Sequence, residues 1–157
     1  MSKLRPIEGS FDSDGARYGV VVARWNSEIT ENLLKGALAA LERHGVADED
    51  IQVYRVPGAF ELPLAAKKVA ETGKVDAVIT LGCVIRGGTP HFEYVCAETS
   101  RGIGEAALTT GVPIAFGLLT TDDLKQSQDR SGNNEENKGE EAALTALELV
   151  SLFRKIV

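Results

Sequence analysis

The 157-residue sequence has few of the residues that build disulfide frameworks and metal sites. It contains two cysteines and two histidines. Two cysteines without a paired Cys-x-x-Cys spacing form neither a disulfide framework nor a zinc motif, and two histidines argue against a His-based metal site. Cys83 and Cys96 stand in apolar segments, which predicts buried free thiols. Buried free thiols are typical of a reducing compartment, so we expect a cytoplasmic protein.

Long hydrophobic runs and excess positive charge are also missing. No apolar run approaches the roughly 20 residues of a membrane-spanning helix, and residues 1–11 lack the apolar core of a secretory signal. The net charge is -6, whereas general nucleic-acid binders carry basic surfaces. We therefore expect neither a membrane nor a nucleic acid as partner.

The remaining composition is that of a globular protein, because 43% of the residues are hydrophobic and 25% are charged. A chain of this length predicts one domain over 1–157, with residues 1–16 as an N-terminal arm. Apolar strand segments lie at 18–23, 51–56, 76–81 and 113–119. Helical patterns start near 26, 64, 90, 122 and 138. Strand and helix alternate four times, which predicts an α/β fold, a three-layer αβα sandwich around a four-stranded parallel sheet.

Three further features concern the packing of segments outside the central sheet. Residues 7–11 are a candidate edge strand that would pair with a neighbouring subunit. Gly102 and Gly104 lower the helix propensity of the third helix, which indicates close packing there. The last helix is apolar over a wider arc than one sheet face needs, which indicates a second burial surface, such as a subunit contact. Its apolar residues are Ala143, Leu144, Leu147, Leu149, Val150, Leu152 and Phe153.

A glycine turn follows the third strand. After Gly87 and Gly88, Thr89 is a good N-cap, Pro90 suits the first helical position, and His91 falls in the first turn. The N-terminus of a helix beside a glycine turn presents free N–H groups and suits an anion. The segment is neither a Walker loop nor a dinucleotide fingerprint. Ordinary chain geometry and a structural histidine therefore remain open alternatives to an anion site with a catalytic histidine.

Ligands of open parallel sheets bind beyond the carboxyl ends of the strands. Trp25 could stack on a planar ring there, and Glu61 could accept hydrogen bonds from hydroxyls, although packing and a helix-end charge are the ordinary alternatives. Together these residues predict a pocket for a planar, hydroxyl-rich molecule beside an anion. The residues expected at this end are Trp25, Asn26, Ala59, Phe60, Glu61, Cys83, Val84, Ile85, Gly87, Gly88, Thr89, His91 and Phe116.

Two segments resemble the 6,7-dimethyl-8-ribityllumazine synthase family: VPGAFELP at 56–63 and GCVIRGGTPHF at 82–92. Arg-Trp-Asn at 24–26, Phe-Gly at 116–117 and Asn-Lys-Gly at 137–139 resemble it too. The resemblance implies a flavodoxin-like fold and a transferase of riboflavin biosynthesis. The implied reaction condenses 5-amino-6-(D-ribitylamino)uracil with 3,4-dihydroxy-2-butanone 4-phosphate and releases phosphate and water, with no metal or cofactor.

The resemblance also implies a role for each site residue. His91 would carry protons, Gly88 and Thr89 would hold the phosphate, and Arg130 of an adjacent subunit would bind it. The adjacent subunit would also supply Phe116 and Lys138. The ribitylaminouracil would contact Trp25, Asn26, Ala59, Phe60, Glu61, Cys83, Val84, Ile85, Phe116 and Lys138.

A homo-oligomer of one or more pentamers is implied as well, with riboflavin synthase as a further partner. The acidic loop with Glu135 and Glu136 replaces a basic turn of shell-forming relatives, so we expect a pentamer or decamer rather than a sixty-subunit shell. A flavin carrier, with Trp25 and Phe116 around the flavin, and a purely structural shell protein are the alternatives. The carrier would not need His91, and the shell protein would need none of Glu61, His91 and Arg130.

Overall fold

The computed structural model describes residues 3–156. Four strands form one all-parallel sheet in the order β2-β1-β3-β4. The strands are β1 (Tyr18–Ala23), β2 (Ile51–Val56), β3 (Ala77–Ile85) and β4 (Ile114–Thr121). The helices are α1 (Ser27–Arg43), α2 (Leu62–Glu71), α3 (His91–Thr110), α4 (Leu124–Asp129) and α5 (Lys138–Lys155). The predicted α/β fold with a four-stranded parallel sheet is confirmed.

The sheet is covered by helices on both faces, because its strands are apolar on both. Tyr18, Val20 and Val22 of β1 pack in one cluster with side chains of α1 and α5. Val21, between them, packs in the opposite cluster with side chains of α2 and α3. Alternate residues of a strand point to opposite faces, so one short apolar run supplies both layers of the core.

The helix starts differ from the predicted positions by at most two residues, and at α3 and α4 the caps differ as well. α3 begins at His91 with Pro90 as its N-cap, and the Thr89 hydroxyl accepts a long 3.4 Å bond from the His91 N–H. α4 is capped by Asp123, whose carboxylate accepts a bond from the Gln126 N–H at 2.9 Å. Thr121 is also predicted as the cap of this helix by its residue type, but it lies in β4, and its buried hydroxyl bonds to the Asp123 carbonyl and to Ser127.

The N-terminal segment is not a strand within the part of the chain that is described. It runs against α5, where the Ser10 N–H donates to Ser151 Oγ at 3.0 Å and Lys155 Nζ donates to the Glu8 carbonyl at 2.6 Å. A Cβ on Gly9 would lie 2.0 Å from the Glu148 carbonyl oxygen, so only glycine allows this approach. The arm therefore covers part of the unusually apolar α5. Its pairing with a neighbouring subunit stays a prediction, as does the single-domain boundary.

No helix within residues 3–156 is both long and apolar enough to cross a bilayer.

Candidate active site

A cavity of about 430 Å³ opens at the carboxyl ends of β1 and β3. It brings together residues from four separate parts of the chain, as the strand-end argument predicted. None of its lining side chains carries a fixed charge, so it suits a planar and largely uncharged group. The lining residues of this first cavity are Trp25, Asn26, Ala59, Phe60, Cys83, Val84, Ile85, His91, Tyr94 and Val95.

Asn26 joins the two central strands at the floor of the first cavity. Its backbone is left-handed, with φ 63° and ψ 47°. Its carbonyl accepts the N–H bonds of Ile29 and Thr30 that open α1, while its side-chain Nδ2 donates to the Cys83 carbonyl at 2.8 Å. The side chain thus does not cap α1 but ties the end of β1 to β3, which leaves Oδ1 as the amide's acceptor.

Trp25 is held in place by the loop after β2. Its N–H donates to the Pro57 carbonyl at 2.9 Å. A Cβ on Gly58 would lie 2.2 Å from the indole ring, so the ring rests directly on this glycine. The Trp25 side chain nevertheless stays 66% exposed, which leaves surface free for stacking.

Glu61 is a predicted site residue whose carboxylate is bonded to a neighbouring backbone group in the structure. Its Oε1 accepts a bond from the Gly58 N–H at 2.9 Å, which closes the short turn over Ala59–Glu61. It does not line the first cavity. The ordinary alternative, a carboxylate at a helix start, is therefore what the isolated chain shows, and binding of sugar hydroxyls stays a prediction.

The glycine turn before α3 connects β3 to the first turn of that helix. Neither Gly87 nor Gly88 has a positive φ, and a Cβ on either would meet no atom within 4 Å. Nothing within the described chain therefore requires glycine here. The turn is exposed, and neither its glycines nor Thr89 line the first cavity. Anion binding by Gly88 and Thr89 therefore stays a prediction.

A second cavity, of about 840 Å³, lies beside the edge strand β4. It contains Phe116, Arg130 and Lys138, the three residues that the resemblance assigned to an adjacent subunit. It shares no lining residue with the first cavity. Its other lining residues are Leu118, Leu119, Thr120, Thr121, Gln128, Asp129, Asn134, Glu135, Glu136 and Glu141.

The cations of the second cavity are fastened to their surroundings. Arg130 Nη1 donates to the Gln126 carbonyl at 2.9 Å, and Lys138 Nζ forms a 3.0 Å ion pair with Glu141. The Lys138 N–H also donates to the Arg130 carbonyl at 2.8 Å, so the two residues are coupled through the backbone.

The family model described as 6,7-dimethyl-8-ribityllumazine synthase matches residues 15–154 of the chain. This match spans nearly all of the sequence. The chain belongs to the 6,7-dimethyl-8-ribityllumazine synthase family. It is an enzyme of riboflavin biosynthesis that acts on small-molecule substrates, and the resemblance read from the motifs is confirmed. Because this family is one of enzymes, membership favours the enzyme over the two alternative functions, a flavin carrier and a purely structural shell protein.

Two residues of the first cavity of this lumazine synthase family member were not assigned to the site from the sequence. Tyr94 and Val95 line the first cavity, and the Tyr94 side chain is 74% exposed. Tyr94 follows His91 by three positions on α3, and residues three apart share a helix face. That spacing was the available signal.

Arg86 is a third residue without an assigned role. Its Nε donates to Asp122 at 2.9 Å, its Nη1 pairs with Glu93, and its guanidinium lies 4.4 Å from the centre of the Phe92 ring. The carboxylate partners raise the pKa of Arg86. It thus links the end of β3, the start of α3 and the turn after β4.

The two cysteines differ in their surroundings. Cys83 is buried, and Cys96 is only half-buried because it lies on α3 outside both core clusters. The prediction of two buried thiols is therefore wrong for Cys96. Burial raises the pKa of the Cys83 thiol, and a hydrogen bond with Ser127 lowers it by less. Within residues 3–156, no three His, Cys, Asp or Glu side chains converge as metal ligands.

Proposed function

We propose that the complete active site of this enzyme forms between two copies of the chain. The observation that carries the proposal is the division of the predicted site residues between two separate cavities of one chain. The first cavity holds most of the residues assigned to ribitylaminouracil, with His91 at its edge. The second holds Phe116, Arg130 and Lys138. In a ring of subunits, the first cavity of each chain would meet the second cavity of its neighbour.

The first cavity suits the ribitylaminouracil. Its apolar walls and the exposed indole of Trp25 would take the planar pyrimidine. The free Oδ1 of Asn26 would accept a hydrogen bond from the substrate, because Nδ2 is already bound to Cys83. Glu61, with Oε1 used by the Gly58 N–H, would offer its other carboxylate oxygen to the ribityl hydroxyls.

The butanone phosphate would lie between the glycine turn and the neighbouring subunit. Backbone N–H groups at Gly88 and Thr89, near the start of α3, would face the phosphate. Arg130 would complete the site because a guanidinium binds two phosphate oxygens at once.

His91 would carry protons in a reaction that needs little other chemical assistance. The substrate amine attacks the ketone and a first water leaves, phosphate is eliminated, and the second amine attacks the remaining carbonyl and closes the ring with loss of a second water. Imidazole takes up and releases protons near neutral pH, and a positioned acid–base group contributes about 100- to 10,000-fold to such steps. Holding both substrates in one orientation supplies much of the remaining acceleration.

A complementation experiment tests the shared site. His91→Ala disables the first cavity and should lower turnover by about 10- to 1,000-fold. Arg130→Ala instead removes the proposed phosphate ligand from the second cavity of the chain that carries it and weakens binding of the butanone phosphate. If the two variants are co-expressed equally, a random ring has one site in four with both residues intact, so activity should return to about a quarter of wild type. Lumazine fluorescence from the two substrates is the readout.

The control is each variant expressed alone and then mixed without reassembly, which should show only the mean of the two separate activities. Sites contained in one chain would give no recovery on co-expression, because every chain would then lack one residue. That result would refute the shared site without affecting family membership.

We further propose a pentamer or decamer as the assembly, riboflavin synthase as a partner that takes the product, and a cytoplasmic location. The support for the assembly is the exposure of large apolar side chains on α2 and α3, with Leu64 67% and Leu108 88% exposed. The partner and the location rest on the family's place in riboflavin biosynthesis.

A further inference from the structure

A row of buried hydroxyl and thiol groups connects β3, α4 and β4. Cys83 Sγ lies 3.2 Å from Ser127 Oγ, and Ser127 Oγ lies 2.6 Å from Thr121 Oγ1. Thr121 Oγ1 lies 3.1 Å from the carbonyl oxygen of Asp123. All three side chains are buried. Cys83 lines the first cavity and Thr121 lines the second, so the row runs between them.

The direction of these hydrogen bonds follows from the last acceptor. The Asp123 carbonyl has no hydrogen to donate, so the Thr121 hydroxyl donates to it. The Thr121 oxygen then accepts from the Ser127 hydroxyl, and the Ser127 oxygen accepts from the Cys83 thiol. Every hydrogen in the row is used, and the Cys83 thiol is a donor.

Ser127 is also the anchor of α4. Of the six residues of this helix, all of which are described, Ser127 is the buried one. A helix of this length is not stable by itself. Gln128 also donates to Glu28 at the exposed surface, at 3.2 Å, so the buried contacts that hold α4 against β3 and β4 are those of Ser127.

Arg130 follows α4 directly. The Arg130 N–H donates to the Ser127 carbonyl at 3.2 Å. The Ser131 hydroxyl donates to the same carbonyl at 2.8 Å. The Arg130 backbone and the neighbouring Ser131 side chain are thus both bonded to Ser127, whose hydroxyl lies in the buried row.

We propose that Ser127 is a positioning residue for Arg130, holding α4 against β3 and β4 through the Cys83–Ser127–Thr121 row so that the guanidinium stands ready for phosphate. This rests on the proposed role of Arg130. Removing the Ser127 hydroxyl leaves the buried Cys83 thiol without its acceptor and Thr121 without one donor, which costs free energy that a shift of α4 would relieve.

The test compares Michaelis constants for the two substrates in Ser127→Ala. The KM for the butanone phosphate should rise about 3- to 10-fold, the effect of one buried hydrogen bond, while the KM for ribitylaminouracil stays within about twofold. Thr121→Val breaks the same row with a side chain of the same shape and should give the same pattern if Ser127→Ala fails to fold. The matched control is Thr80→Val, which removes a buried hydroxyl bonded to the Ala115 carbonyl away from α4.

A double variant separates this inference from the proposed function. In an Arg130→Ala background, Ser127→Ala should raise the KM for the butanone phosphate no further. An equal rise for both substrates, a rise that persists without Arg130, or no rise in either row variant overturns the positioning role. A normal KM for the butanone phosphate in Arg130→Ala alone overturns the Arg130 assignment itself, and the role of Ser127 with it.

Discussion

Asn26 combines a left-handed backbone with a hydrogen bond between two strands. Asn is one of the few residues that adopt the left-handed conformation without large cost, and Asp is another. Asn26→Asp therefore keeps the backbone and changes only the side-chain bond, because a carboxylate oxygen would face the Cys83 carbonyl in place of Nδ2.

We expect Asn26→Asp to lower the free energy of unfolding by about 1–3 kcal/mol, the cost of an unmet buried polar group. Urea unfolding at one protein concentration measures it. Asn26→Gly is the comparison, since it relieves the backbone and leaves no repelling oxygen, and it should lose less. An Asp variant as stable as wild type would show that the bond to Cys83 contributes nothing.

Tyr18 gives a prediction for alkaline pH. Its hydroxyl is buried without a hydrogen-bond partner among the described residues. Burial raises its pKa to about 12 from 10.0, with the Asp76 charge adding to the rise and Arg154 opposing it. The folded state thus holds the phenol proton where the unfolded state has released it, so this contribution to stability is complete below pH 10 and is lost as the pH rises toward 12.

The loss should approach about 3 kcal/mol at most, the equivalent of two pKa units. Tyr18→Phe is the control because it keeps the ring and removes the proton. The variant should be at least as stable as wild type at pH 7 and should lose less stability between pH 10 and 12. Parallel pH profiles for the two proteins would contradict the prediction.

At the residue scale, the sequence predicted which side chains lie together at the site but not which hydrogen bonds they form. Trp25, Asn26 and His91 were placed at the strand ends because strand and helix patterns locate each residue along the chain. The bond from Asn26 to Cys83 was not predictable, since it joins residues 57 positions apart. A helix-end charge was visible as the alternative for Glu61 because it is local in sequence, whereas the bond of its carboxylate to the Gly58 N–H was not predicted.

At the scale of elements, the two glycines inside α3 serve as a matched pair. A Cβ on Gly102 would lie 2.8 Å from Pro63, at the contact of α3 with α2. A Cβ on Gly104 would meet nothing within 4 Å. The predicted close packing is therefore confirmed for Gly102, and nothing in the described chain supports it for Gly104.

Gly102→Ala should destabilise the fold by about 1–3 kcal/mol through overpacking. Gly104→Ala should stabilise it by up to about 1 kcal/mol, because alanine has the higher helix propensity. Thermal unfolding of both variants measures the difference. A loss of stability in Gly104→Ala would mean that a neighbouring chain packs against that side of α3.

Element boundaries were predicted well where they follow apolar periodicity and less well at caps. β1, β2 and the core of α1 lie where the patterns place them. Thr121 is a good cap by residue type, yet Asp123 caps α4, because β4 extends two residues further along β3 and carries Thr121 into the buried row.

At the scale of the whole molecule, we expect the active protein to be at least pentameric. Light scattering of the purified protein measures its mass directly, and an active monomer would overturn the shared site. Glu135 and Glu136 are exposed in the loop before α5, so like charges would oppose further joining of pentamers.

Added salt should favour larger particles, because exposed charges are screened beyond about 10 Å at 0.1 M ionic strength. Glu135→Gln with Glu136→Gln should shift the mass in the same direction at low salt. A uniform sixty-subunit particle of the wild-type protein at low salt would contradict the charge argument and leave the shared site untouched.

The amino-acid sequence by itself determined the alternation of strands and helices, the motifs of the family and the side chains that reach the carboxyl ends of the strands. These follow from local periodicity and from residue type, which act over a few positions of the chain. Only the tertiary structure decided that the site residues divide between two cavities, that Gly58 carries the Trp25 ring, and that Ser127 joins Cys83 to Thr121. Such contacts depend on side-chain direction and on the packing of segments far apart in sequence, and a difference of one or two ångströms decides whether they form.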